Sequence, residues 1–290
     1  MLNNLRELWK FRELLIILVR RDLKIRYKNS VLGFGWSLLN PLAQVLTITL
    51  VLKFLGAQGV TENYHAYVFC ALLPWLFFST ATMDAGMSLV AFHDLLRRAY
   101  FPREALPLTT VAANFIHFLL AMGVFLVYET LNPLFWWVVD GKFNFPIQPT
   151  VVLTVIPMAG LFLLVSGIAM FISVWTLYFE DVRYLADSGM KILYWLVPVL
   201  YFPELILHRD PGGRGELIYT LYMLNPLSAF ITSFKKLTLP PTKSPGGEWM
   251  TTPMGAQDWG FLGIAMVVSL VFFLLAHRYF NARKWKLAER

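Results

Sequence analysis

Along the chain, apolar and polar positions change register near residue 30. Up to Lys28 the pattern is helical and two-faced: Leu8, Phe11, Leu15, Val19, Leu23 and Tyr27 recur at spacings of three and four, between Arg6, Lys10, Arg12, Arg20, Arg21, Lys24, Arg26 and Lys28. One apolar stripe with basic flanks predicts a helix lying in a headgroup layer. An ordinary buried helix of a bundle would need fewer cations. Beyond residue 30 the pattern becomes a series of long uncharged runs separated by short charged stretches. Runs of about 20 apolar residues match the hydrocarbon core of a bilayer.

These runs predict crossings at about 31–52, 64–90, 106–128, 150–177, 187–203 and 259–277. In the first, Pro41 should kink the helix, and Asn40 and Gln44, four apart, share a face that should turn away from lipid. Asp84 lies near the inner end of the second, where a carboxylate is costly unless paired or hydrated. Residues 93–107 are short, basic and amphipathic, and read as a cytoplasmic helix between crossings. Residues 129–149, with Trp136, Trp137, Phe143 and Phe145, read as an outer loop in the interfacial aromatic belt. The fifth run is short before it meets Glu204. Residues 217–239, broken by Asn225, Pro226, Lys235 and Lys236, read as re-entrant or interfacial half-helices on the outer face. Residues 178–191 form a second inner connection, 240–258 an outer loop, and a basic tail closes the chain.

The cations set the orientation. The N-terminal segment, residues 93–107, residues 178–191 and the tail hold 18 of the 25 Lys and Arg. Six crossings put all four on one side, so both termini are expected in the cytoplasm. The domain reading is an amphipathic interface helix over 1–30 and one membrane domain over 31–290.

Composition agrees. Of 290 residues 57% are hydrophobic and 15% charged, against roughly a quarter charged in a soluble domain, so lipid must act as solvent for much of the surface. The net charge of +7 gathers beside apolar runs, which fits membrane orientation rather than nucleic acid. A lone Cys70 excludes an internal disulfide. The first apolar run follows roughly thirty residues with no small-residue cleavage site after it, as in a retained anchor.

Enzymatic signatures are sparse. There is no phosphate-binding glycine loop ending in Lys and Ser or Thr, and Gly212, Gly213, Arg214 and Gly215 form a turn. No zinc motif or paired cysteine occurs, so no metal is expected. Glu180, Asp181 and Asp187 are the one carboxylate group that offers a membrane enzyme its acid or base; a solvated loop explains them more simply.

Six patches carry a resemblance. They are Arg26, Tyr27, Lys28, Leu32, Gly33, Trp36 and Pro41; Leu72, Leu73, Pro74, Trp75, Phe77 and Phe78; Tyr100 through Glu104 with Pro107; Phe179 through Arg183; Pro198 with Tyr201; and Asn225, Pro226 and Leu227. In this order, over 22–227, the chain resembles the type-2 ABC transporter permeases that export polysaccharides, with the O-antigen permeases nearest and capsule and teichoic acid permeases beside them. The longer outer segment 240–258 departs from that pattern.

The resemblance implies an all-α permease that acts as a homodimer with a pair of separate nucleotide-binding ATPase subunits. It would transport a lipid-linked glycan across the bacterial cytoplasmic (inner) membrane. ATP and Mg would sit in the partner, and this chain would hold no cofactor and catalyse no reaction. Residues 93–107 become a coupling helix, with Asp94, Arg97, Arg98 and Arg103 as charged contacts and Leu95, Leu96, Tyr100 and Phe101 as apolar anchors. Residues 205–239 become outer gate helices. A sugar path needs aromatic faces and scattered hydrogen-bonding groups. Trp36, Asn40, Gln44, Tyr194, Trp195 and Tyr201 are candidates, though lipid-facing or packed positions explain the aromatics equally. Arg20, Arg21, Lys24, Arg26 and Lys28 would meet the diphosphate of the carrier lipid, or simply anchor the helix to headgroups. A teichoic acid, capsule or amphiphilic drug substrate, or a glycolipid-modifying enzyme, are the rival readings.

Overall fold

A computed structural model describes residues 9–27, 35–54, 64–92, 101–140, 147–209, 214–243 and 249–283, and these residues are almost wholly helical. The first helix, α1 (Arg12–Tyr27), carries Glu13 in its first turn and Lys24 and Arg26 in its last, charges that suit the helix dipole. Its stripe agrees with the expected one in part: Phe11 and Leu15 turn to the protein, but the one buried residue, Leu18, and its neighbour Leu14 were not on the expected stripe, and Ile16, Ile17 and Ile25 face outward.

Helix α2 (Gly35–Phe54) runs through Pro41. It rests on α3 through Val45 and leaves Leu39, Leu46, Leu50, Val51 and Phe54 exposed. Helix α3 (Tyr64–Gly86) is the centre of the molecule, buried on nearly every side. At Gly86 an added Cβ would lie 2.7 Å from Ile172 Cγ2, so the helix ends at a close crossing, followed by a short turn, Ser88–Ala91.

Helix α4 (Ala105–Asp140) corrects one expectation: it continues 36 residues, through the stretch read as an outer loop from residue 129. The polar interruption at Glu129, Thr130 and Asn132 is shorter than two helical turns, and Leu134 through Val139 resume a helix-compatible apolar run. Glu129 is accordingly buried rather than solvated.

Helix α5 (Val155–Tyr178) follows a tight lead-in, Pro149–Thr154. It packs along the last helix, α10 (Ala256–Arg283), through glycines. A Cβ at Gly160 would strike Met266 and Phe230, and one at Gly167 would lie 3.1 Å from Phe273 Cα. Small residues at such a seam let helices approach closely where lipid gives no hydrophobic drive.

Where the fifth crossing was expected, over 187–203, the chain forms a shorter helix that begins earlier. Helix α6 spans Asp181–Leu196, 16 residues or about 24 Å, and has no buried residue. It starts in the segment read as an inner connection and stops before Pro198, whose ring excludes the preceding residue from helical geometry. Then come α7 (Leu205–Arg209), α8 (Gly215–Met223) and α9 (Pro226–Thr238). The last two are bent by 97° where Asn225 caps α9, its side chain accepting from Leu227 N at 3.1 Å, with Pro226 at the first helical position.

By length and composition, four described helices can cross a bilayer, Tyr64–Gly86, Ala105–Leu131, Pro149–Tyr178 and Ala256–Arg283; the bent α8–α9 pair counts as a fifth if it is one broken span rather than a re-entrant loop. The stretch expected to be an outer loop, 240–258, is stitched by Met250 N to Thr242 O at 2.9 Å and Thr242 N to Thr251 Oγ1 at 2.9 Å.

Candidate functional site

The basic rim of α1 is turned partly inward. Arg26 Nη2 donates to Asp84 Oδ2 at 2.8 Å and to Asn114 Oδ1 at 2.8 Å, and Asn114 Nδ2 donates to the same Asp84 oxygen at 3.2 Å. Asp84, the acid that the sequence required to be paired, has its partner. One turn earlier, Arg21 pairs with Asp22 at 2.7 Å and sits 4.0 Å over the Phe92 ring, while Thr110 Oγ1 donates to Asp22 Oδ2 at 3.3 Å. Arg20 and Lys24 are exposed; Lys28 lies outside the described residues. Arg26 and Asn114 also line two adjoining cavities of about 280 and 270 Å³. The second is bounded by Pro41, Leu73, Thr80 and His117, so it joins α2, α3 and α4.

Of the coupling candidates, Asp94, Leu95, Leu96, Arg97, Arg98 and Tyr100 lie outside the described residues. Phe101 is buried with Leu18, Leu89, Leu106 and Phe280, and Arg103 is half-buried. The neighbouring Glu104 is buried 3.8 Å from His277 Nε2, which ties the start of α4 to the end of α10.

The path candidates gather in part. The side chains of Trp36 and Asn40 lie outside the described ones. Gln44 Nε2 on α2 donates to Tyr194 OH on α6 at 3.3 Å, and the Tyr194 ring lies 5.5 Å from Trp75 and 5.6 Å from Trp195. Tyr201 OH donates to Trp195 O at 3.3 Å and shares a 2.9 Å hydrogen bond with Tyr222 OH. Gln44, Tyr194, Trp195 and Tyr201 therefore form one aromatic and hydroxyl stripe, extended by Trp75 and Tyr222, which sequence reasoning missed. Trp195 is 68% exposed and Tyr194 half-buried, so α6 packs with one edge and presents the other.

The sequence also missed a buried charge cluster between α9, the start of α10 and Glu204. Lys236 Nζ lies 2.9 Å from Asp258 Oδ1, 3.0 Å from Glu204 Oε1 and 3.0 Å from Thr252 Oγ1. The contact with Asp258 is aligned as a hydrogen bond; that with Glu204 is a close charge pair without such alignment. Lys235 Nζ donates to Pro198 O at 2.8 Å and Tyr201 O at 3.2 Å. The signal was present as two lysines on an otherwise uncharged helix, but it read as a reason against a full crossing.

The exposed Glu180, Asp181 and Asp187 do not form a cluster: Asp187 pairs with Lys191, 2.7 Å away on the same helix. Among the described residues no group of His, Cys, Asp and Glu is arranged to hold a metal.

No family model matches the chain. Curated proteins do. It is 24% identical over 280 residues, 96% of this chain and 94% of the relative, to the O-antigen export system permease protein RfbA of Klebsiella pneumoniae. It is 29% identical over 237 residues, 82% of this chain and 84% of the relative, to the O-antigen export system permease protein RfbA of Myxococcus xanthus. The likeness thus extends past the six patches into the last helix.

Proposed function

We propose that this chain, which belongs with the O-antigen export permeases of the ABC-2 type, is the membrane-spanning subunit of an ATP-driven exporter. Its cargo would be a lipid-linked polysaccharide, with O-antigen as the leading candidate. The observation that carries this reading is similarity along nearly the whole chain to permeases named for that export, joined to an all-helical body with several membrane-capable helices.

The finer parts of the reading rest on physical argument. Six crossings, with α2 and α6 as the first and fifth, keep the four basic segments in the cytoplasm. Helices α2 and α6 leave long apolar and aromatic faces exposed, as expected where a second copy and a transport path adjoin them. The stripe of Gln44, Tyr194, Trp195 and Tyr201 offers rings for sugar faces and groups that exchange hydrogen bonds without holding any one sugar firmly. Arg20 and Lys24 are free to meet a diphosphate or headgroups at the inner rim. Residues 93–103 would transmit the motion of a separate ATPase pair, which brings the ATP and Mg.

The test is purification of the tagged chain from detergent-solubilised native membranes, followed by an ATPase assay. Co-purification of a nucleotide-binding subunit in equal amount, with vanadate-sensitive hydrolysis stimulated by the lipid-linked glycan, is the expected result. A chain recovered alone and without hydrolysis would overturn the exporter reading.

A further inference from the structure

Helices α8 and α10 face each other across a cavity of about 680 Å³. Its lining follows helical spacing on both sides. Gln257, Gly260 and Phe261 on α10, and Glu216, Tyr219 and Thr220 on α8, repeat at steps of three and four, so each helix turns one stripe to the space between them. Small-ligand sites span about 300–1,000 Å³, and this volume falls among them. The walls are held in place. Tyr219 is buried, its ring stands edge-on to Phe261 at 6.2 Å, and its hydroxyl reaches Asp258, the carboxylate that Lys236 binds. Gly260 keeps the α10 wall low: an added Cβ there would meet nothing within 4 Å, whereas Gly160 and Gly167 serve close helix packing.

This lining selects a chemistry. Glu216 and Gln257 are exposed, and offer a carboxylate and an amide at the cavity. Thr220 Oγ1 donates its one proton to Glu216 O at 2.8 Å, which leaves the hydroxyl as an acceptor. Among the described lining residues Glu216 is the only charge, so the site disfavours phosphate and acidic sugars. An acyl chain would strip water from these polar groups and return no hydrogen bond. A sugar ring suits both halves. Its hydroxyls donate to Glu216, Thr220 and Gln257, and its C–H face packs on Phe261 and Ile264, the mixture of apolar wall and few polar groups that ligand sites use. The cavity also adjoins the stripe of Gln44, Tyr194, Trp195 and Tyr201. Tyr222, hydrogen-bonded to Tyr201, stands three residues from Tyr219 and so beside it on α8.

We propose that the cavity between α8 and α10 is a subsite for an uncharged sugar ring, with Phe261 as the packing surface and Glu216, Thr220 and Gln257 as hydrogen-bonding groups. The proposal rests on the export reading for the class of cargo, and adds a place, apart from the α6 stripe, where the glycan is held. The subsite contacts the ring and its hydroxyls, so simple neutral oligosaccharides serve as probes.

The experiment is saturation-transfer NMR on the full-length protein in lipid nanodiscs, free of sugar detergents, with maltotriose, chitotriose and trigalacturonate as probes. The two neutral probes should receive saturation, and the acidic one about tenfold less. Gly260→Leu fills the cavity from a position with open space around it, so it should cut the neutral signal about tenfold without lowering the thermal midpoint. Gln257→Ala, at an exposed position, should weaken binding about threefold. Trp195→Ala on α6 should leave the signal in place. No saturation of the neutral probes, or the same saturation in Gly260→Leu, would overturn the subsite. Equal saturation of trigalacturonate would overturn its preference for uncharged rings. Loss in Trp195→Ala alone would move the sugar contact to the stripe and overturn the assignment to this cavity. So would a phospholipid that native mass spectrometry finds on the unaltered chain and not on Gly260→Leu. None of these readings involves hydrolysis or transport, so failure here leaves the exporter reading to its own pull-down.

Discussion

Arg26 and Asp84 stand 58 positions apart in the chain and 2.8 Å apart in the fold. That bond fixes the end of the N-terminal helix to the C-terminal end of the central helix, and Asn114 completes the node from α4. It answers the question that Asp84 raises: the acid is tolerated because a cation from an amphipathic segment reaches it. The pair remains partly wet, with the side chains 29% and 46% exposed, so solvent screens it. A double-mutant cycle with Arg26→Ala and Asp84→Ala, read by denaturant unfolding in detergent, should give a coupling of about 1 kcal/mol. A coupling of several kcal/mol would mean that the node is far drier than its exposure indicates.

The buried cluster should behave quite differently. Lys236 and Glu204 have side chains 2% and 3% exposed. Removing Lys236 leaves Asp258 without its hydrogen-bonded cation and Glu204 with only the more distant Lys235, and breaking a buried pair in this way costs about 3–5 kcal/mol. Lys236→Met should therefore lower the thermal midpoint of the detergent-solubilised protein sharply. Lys191→Met, which removes an exposed partner of Asp187, should change stability by no more than about 0.5 kcal/mol. Equal effects from the two variants would show that burial of the cluster does not set its strength.

Much of this architecture was legible in the sequence because each apolar run carries its own signal of length. The centre of α3, the seam of α5 and the long α10 all lie where the runs predicted them. The stripe on α1 was legible in part: Phe11 and Leu15 turn to the protein as expected, while Leu14 and Leu18, off the expected stripe, join them. What failed was any feature decided by a distant partner. Lys235 and Lys236 interrupt an apolar stretch, and a local pattern cannot see that Glu204 and Asp258 lie within 3.0 Å of Lys236. Glu129 looked like the start of a loop, although its helix continues for another three turns and buries it. Asp84 is the instructive middle case. Its need for a partner followed from burial in a membrane run, while the identity of the partner came only with the fold. The aromatic stripe is similar: Tyr194 and Tyr201 were candidates, but Trp75 and Tyr222 join them only through packing.

The α5–α10 seam gives a steric prediction. Gly160→Leu would place a side chain into Met266 and Phe230, so the helices must separate and lose their close contact. The variant should be destabilised by about 1–3 kcal/mol and should express poorly. Gly263 sits on α10 with nothing within 4 Å of an added Cβ, so Gly263→Ala is the control, expected to be neutral or slightly stabilising. Comparable yields and melting curves for both would argue against a glycine-dependent seam.

The last prediction concerns the link to the ATPase that the proposed function requires. Arg97 and Arg98 lie in the short basic segment between α3 and α4. The part of that segment within the described residues is firmly seated: Phe101 is buried, and Glu104 lies beside His277. A segment held at its base and basic along its length suits transmission of a push from a cytoplasmic partner with an acidic groove. Arg97→Glu with Arg98→Glu reverses that charge without touching a buried residue of the described fold. Export of the glycan should fall about a hundredfold or more, because two charged contacts of an interface are replaced by repulsion. Membrane insertion and the amount of protein should stay at the level of the unaltered chain, measured by immunoblot of washed membranes. Partner recovery in the pull-down should drop in parallel. Normal export with normal recovery would remove residues 93–103 from the coupling role and leave the exposed Arg20 and Lys24 of α1 as the next surface to test.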